Sequence, residues 1–144
     1  MIRGAFLFFA LFYSPSSARG IWTPAQANSW YQSQKWILGG NYILSDAVNQ
    51  IEMWQAETFD PVKIDQEIGL GQNLGMNTMR IFLHDLVYAQ DPTGFKNRVT
   101  TVLQIADKYG IKPILVFFTT GAIANPSTSG FQPPPVQGVR ESRK

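Results

Sequence analysis

The chain reads as an α/β fold in which three parallel strands alternate with two crossover helices, and three observations predict this. Asn77 to Asp85 alternates with period two: Met79, Ile81 and Leu83 form an apolar row, while Thr78, Arg80, Phe82 and His84 form an unusually polar one. Helical spacing of apolar residues flanks that strand on both sides, with Ile64, Ile68, Gly71 and Leu74 before it and Phe95, Val99, Val102, Leu103 and Ala106 after it. Trp36–Ile43 and Lys112–Phe118 read as further strands, so the order is strand, helix, strand, helix, strand, or two right-handed crossover units. An arginine inside a strand is costly to bury without partners. Arg80 becomes reasonable if the polar row points into a barrel whose mouth is a site. His84 and Asp85 then leave at the carboxyl end of the strand, where barrels of this kind carry their chemistry. The expected architecture is therefore an incomplete (β/α)8, or TIM, barrel. The alternative for this stretch alone is a solvated edge strand with a stray arginine.

Taken in order, residues 1–18 read as a secretory signal peptide. Arg3 supplies the positive start, Ala5 to Tyr13 a short apolar core, and Ser16-Ser17-Ala18 the small residues of a cleavage site. That apolar run is too short to span a bilayer; the alternative is an uncleaved hydrophobic strand. Residues 19–35 form an N-terminal helical segment, with Thr23 as cap, Pro24 at the first helical position, and Trp30 packing as a hydrophobic anchor against the barrel floor. Residues 36–118 hold the partial barrel. Its first strand carries two glycines that permit close backbone approach, with Asn41 and Tyr42 at its carboxyl end. Leu44 to Thr58 reads as a long loop bearing Asp46, Asn49, Gln50, Glu52, Trp54 and Gln55. Carboxylates, amides and an indole together suit a sugar, whose hydroxyls take polar partners and whose C–H faces stack on rings.

Asp60-Pro61 starts the next helix, Asp65 and Glu67 fall in its early turns, and Gly75 stops it. Gly69 to Gly75 superficially resembles a dinucleotide fingerprint, but its last spacing is one residue too long and it lies late in a helix. A loop from Asp85 to Gly94 follows the Arg80 strand. The next helix ends at Tyr109-Gly110, and Lys112–Phe118 is a continuous apolar run such as a parallel strand covered on both faces shows. Residues 119–144 are rich in Pro, Gly and Ser and read as an extended or disordered tail.

Composition removes several function classes. In 144 residues with 44% hydrophobic and 15% charged content, a net charge of +2 and scattered basic residues give no nucleic-acid stripe. The chain has no cysteine and one histidine, so neither thiolate chemistry, a disulfide framework nor a His- or Cys-based metal site is available, and no cofactor is expected. No segment beyond the leader could cross a membrane.

Trp36-x-x-Gly39-Gly40-Asn41-Tyr42-Ile43-x-Ser45-Asp46-Ala47-Val48-Asn49-Gln50-Ile51-Glu52-Met53-Trp54-Gln55, then Thr58-Phe59-Asp60-Pro61, then Asn77 to Leu86, resembles the start of secreted clan A glycoside hydrolases. These are family 5-like cellulases or 1,4-beta-xylanases on a TIM barrel. The likeness runs from about Trp22 to Phe118 and thins out toward Ser142, with Gly130-x-Gln132-Pro133 still similar. It implies retaining hydrolysis of a β-linked polysaccharide (xylan, cellulose or mannan) by glutamates ending the fourth and seventh barrel strands. It implies that Arg80 orients the nucleophile and that Asn41, Tyr42, His84 and Asp85 line sugar subsites, to which the long loop adds Glu52 and Trp54. A full barrel takes roughly 250 residues. Both glutamates would therefore lie beyond Lys144, and the chain is expected to be the N-terminal portion of such an enzyme. Thr119 to Ala124 also lacks the acidic residue and the tryptophan of the family's loop.

Hydrolysis needs an acid and a nucleophile roughly 5–10 Å apart. On the expected site face the carboxylates are Asp46, Glu52, Asp85 and Asp91, and each has a structural role open to it: Asp46 and Glu52 tying down the loop, Asp91 capping the helix at Pro92. His84 reads as a hydrogen-bonded wall residue. The other function class is a non-catalytic secreted module that holds sugar on Trp54, Tyr42, Asn41 and Tyr88. A Schiff-base aldolase is disfavoured because no lysine ends a strand. Three strands covered on one side leave Arg80 and Phe82 facing water or another chain, which promotes self-association.

Overall fold

The computed structural model describes residues 20–118 together with Thr128 and Gln132. The expected leader at 1–18 lies outside the described residues, as does the expected tail except for those two positions. The chain divides into two units, Met1–Lys35 and Trp36–Lys144.

In the first unit, α1 spans Pro24–Ser33. Its start is closed reciprocally: Gln26 N–H donates to Thr23 Oγ1 (3.3 Å), and Thr23 N–H donates to Gln26 Oε1 (2.9 Å). No residue of α1 is buried, and the Trp30 ring meets Trp22 edge-on at 6.0 Å.

The second unit is a mixed helix-and-strand fold on a small parallel sheet. Strand β1 (Gly39–Tyr42) is followed by helices α2 (Gln50–Trp54) and α3 (Pro61–Asn73). Strand β2 (Thr78–Phe82) is followed by α4 (Asp85–Gln90) and α5 (Pro92–Lys108), and β3 (Lys112–Val116) closes the order. The strands lie β1-β2-β3, each pair parallel, with Asn41 beside Arg80 and Arg80 beside Ile114.

Local chemistry sets these boundaries. Asp60 Oδ1 accepts from the Val62 and Lys63 amides at 3.0 Å each, and Pro61 takes the first helical position. Helices α3 and α5 end alike. Gly75 and Gly110 take φ of +85° and +66°, Met76 N–H reaches back to Gly71 O, and Ile111 N–H reaches back to Ala106 O. Both are Schellman turns at the sites where the chain must go left-handed. Leu74 does not join the inner stripe of α3: it is the cap residue, four positions after exposed Leu70, and is itself 74% exposed. Ion pairing of Lys108 with Asp65 (2.7 Å) then ties α5 to α3. Strand β1 is shorter than the apolar pattern because the Asn77 side chain replaces the ladder. Its Oδ1 accepts from Leu38 N–H (2.9 Å) and its Nδ2 donates to Trp36 O (2.7 Å).

Two expected loops hold helices. Within 44–58, Asn49 caps α2 by accepting from Glu52 N–H at 2.9 Å, and Ile51, Met53 and Trp54 sink into the core. Within 85–94, His84 caps α4 and Asp91 caps α5, the latter accepting from Gly94 N–H at 2.9 Å. That bond, followed by the Arg98 guanidinium, holds the Asp91 carboxyl below the usual carboxylate range.

The two faces of the sheet differ. Met79 and Ile81 are buried in one cluster with Ile64, Ile68, Val102 and Ala106, so α3 and α5 cover that face. On the other face Arg80 is exposed and Phe82 half-buried. Ile114, in register with Arg80, is 56% exposed, so β3 is not covered on both faces as its apolar run suggested.

Candidate functional site

Alternation sorts the expected site residues into those that face the open side and those that do not. Asn41 is exposed and shares the side of its register partner Arg80. The Arg80 guanidinium lies over the Phe82 ring, 4.5 Å from its centroid, and makes no ion pair among the described residues. At His84 the backbone is still extended (φ −136°, ψ 128°), so this residue continues the Arg80 row to the strand's exit.

Tyr42 is not on that face. One residue along a strand reverses the side chain, so Asn41 and Tyr42 cannot line the same wall. The Tyr42 ring packs against the core and its hydroxyl donates to Glu67 Oε2 at 3.0 Å. Burial, followed by the Glu67 charge, pushes the phenol pKa far up. Glu67 also accepts from Ser45 N–H, so it fixes the exit of β1 rather than serving the helix dipole.

The loop residues also take structural roles. Trp54 is fully buried: its indole N–H donates to Phe82 O (2.8 Å), its ring stacks on Phe59 (15°, 6.3 Å) and meets Phe95 edge-on at 5.6 Å. An indole so enclosed cannot serve as a sugar platform. Glu52 is 7% exposed, accepts from Val48 N–H at 2.9 Å, and its carbonyl takes the Thr58 hydroxyl. Asp46 binds Lys63 at 2.6 Å and Asp91 binds Arg98 at 3.2 Å. Of the four carboxylates weighed as an acid–nucleophile pair, Asp85 has the most exposed side chain, 86%, and its Oδ1 lies 3.2 Å from His84 Nδ1. Among the described residues, no three metal-ligating side chains gather closely enough to hold an ion.

His84 Nδ1 accepts from Leu86 N–H at 3.3 Å, which leaves the proton on Nε2. Partial burial lowers its pKa, opposed by Asp85, whose Oδ1 lies 3.2 Å from Nδ1. Protonation at Nδ1 would break the cap. The unfolded chain binds that proton more readily, so the His84 contribution to stability is full above pH 6.5 and is lost as pH drops through 6.5 toward the lower folded value. Urea midpoints at pH 7.5 and 5 should show this loss in the parent chain. It should be smaller in H84N, whose amide oxygen keeps the cap without titrating.

The sequence reading missed an aromatic cleft at the strand exits. Leu83, His84, Tyr88, Phe95, Phe117 and Phe118 line an open space of about 600 Å³, and Phe117 and Phe118 are 63% and 93% exposed. Two consecutive phenylalanines leaving a strand were its signal, hidden because they read as the end of a covered strand. Gln55, another loop amide, is 1% exposed, and its Oε1 and Nε2 have no hydrogen-bond partner among the described residues.

Among the described residues no helix is long and apolar enough to cross a membrane. No protein-family model, curated protein or solved structure matches the chain.

Proposed function

We propose that the chain is the N-terminal portion of a secreted glycoside hydrolase acting on a β-linked polysaccharide. In this reading it supplies three strands of a (β/α)8 barrel and sugar-contacting residues, while the catalytic glutamates belong to later strands. The observation that carries the reading is Arg80. It stands on the open side of a parallel sheet whose other side is packed by α3 and α5. A polar row carrying one arginine and leading to His84 and Asp85 at the carboxyl end of the strand fits a barrel wall just below the face where such folds carry their sites. Asn41, Arg80, His84 and Asp85 remain as candidate contacts to sugar hydroxyls; Tyr42 and Trp54 support that wall from behind, and Glu52 holds the loop.

The second reading, a non-catalytic carbohydrate-binding module, is favoured by the exposed rings of Tyr88, Phe117 and Phe118 at the strand exits. An NMR titration of the 144-residue chain with xylohexaose, cellohexaose and mannohexaose separates the two. The hydrolase reading expects shifts at Asn41, Arg80, His84 and Asp85, lost in R80A, with no reducing sugar released. Shifts centred on Tyr88 and Phe117 that survive R80A would favour the module. No response to any of the three sugars would overturn both.

A further inference from the structure

The strongest unassigned feature is a buried bond between Gln132 and the residue that caps α2. Gln132 lies in a proline- and glycine-rich stretch, yet it is only 8% exposed. Its Oε1 accepts from Asn49 Nδ2 at 3.2 Å, across 83 positions of sequence. Asn49 is itself 7% exposed and is the cap of α2, since its Oδ1 accepts from Glu52 N–H. That cap fixes the orientation of the Asn49 amide. With the oxygen committed to the helix, the NH2 must point away from it, and only an acceptor can meet it there. One side chain therefore starts a helix and meets a residue 83 positions away at once. A second contact, Gln90 Nε2 to Thr128 O at 3.3 Å, joins Thr128 to the end of α4.

We infer that Gln132 is a positioning residue for α2, and that the Asn49–Gln132 bond and order in α2 are one coupled event. The helix has reason to need such support. Gln50–Trp54 is too short to be stable by itself, yet it carries Trp54, whose indole holds the last carbonyl of β2. Burial of Ile51, Met53 and Trp54 anchors the body of this helix, and the Gln132 bond fixes its first turn. Removing the Gln132 acceptor takes the partner from a donor on the largely buried Asn49, which costs more than the bond's net worth.

Amide hydrogen exchange on the full 144-residue chain tests the coupling through the Met53 and Gln55 amides, which bond to Asn49 O and Ile51 O. Q132A removes the acceptor. N49S keeps a capping oxygen but cannot reach Gln132. Each should speed exchange in α2 about fivefold to tenfold, the range of one net hydrogen bond, and leave α5 unchanged. The double variant should be no faster than the faster single one. Rescue by Q132E, which restores an acceptor, should bring exchange back toward the parent rate. Effects that add in the double variant, an α5 that speeds by the same factor as α2, or an unaltered α2 in Q132A would each overturn the coupling.

Discussion

Replacing Trp54 with alanine is expected to destabilise the chain by about 3–5 kcal/mol, the range for truncating a large buried aromatic. Three losses coincide there. The ring leaves a void between Phe59 and Phe95, against which it packs at 6.3 and 5.6 Å. Phe82 O loses its 2.8 Å partner at the carboxyl end of the central strand. Helix α2 loses its largest fully buried side chain. A domain's whole stability is commonly about 5–15 kcal/mol, so W54A could leave little folded chain, and W54F keeps the test readable. It retains most of the packing and deletes the indole N–H, with an expected cost of about 1–3 kcal/mol. Urea unfolding measures both. A cost below about 1 kcal/mol in W54A would return the indole to the solvent-facing, sugar-stacking role that the sequence suggested.

Gly39→Ala should cost about 3 kcal/mol, at the upper end for overpacking, whereas Gly71→Ala should change stability by no more than about 1 kcal/mol. A methyl on Gly39 would stand 2.0 Å from Thr78 O and 2.8 Å from Thr78 C, both backbone atoms of the register partner. The Thr78 side chain, 2.6 Å away at Cγ2, can rotate aside but these backbone atoms cannot, so β1 must separate from β2 at that end. A methyl on Gly71 would meet Met79 Cε at 2.2 Å, which is also too close, but it is the tip of a flexible side chain. Relief by a rotamer change is then offset further by the better helix propensity of alanine. Equal costs at the two positions would mean that the close approach of β1 to β2 is not what selects glycine.

Legibility in the sequence followed the strength of local signals. Proline after a capping residue marked the starts of α1, α3 and α5, and Gly75 and Gly110 marked two helix ends. Alternation in Met79-Arg80-Ile81-Phe82 gave the central strand and its two unlike faces. Helices α2 and α4 were not seen because five and six residues are too few to show a 3.6-residue period. Their caps, Asn49 and His84, looked like site residues. That confusion is physical: an amide or imidazole that stops a helix is the same chemistry that binds a sugar hydroxyl. Tyr42 and Trp54 were misplaced for another reason. Aromatic residues with a polar atom suit both a ligand wall and a core with one hydrogen-bond partner, and here Glu67 and Phe82 O supply that partner. Gln132 was beyond reach because its bond to Asn49 joins positions that no local pattern connects.

The account depends on Arg80 standing on the inner wall of a larger β-glycan hydrolase, and the transcript read past codon 144 tests it most directly. It should continue in frame through further strand–helix units, with an Asn-Glu pair ending one strand and a second glutamate ending a later one. A stop codon directly after Lys144, in a message whose product is soluble and monomeric, would contradict it.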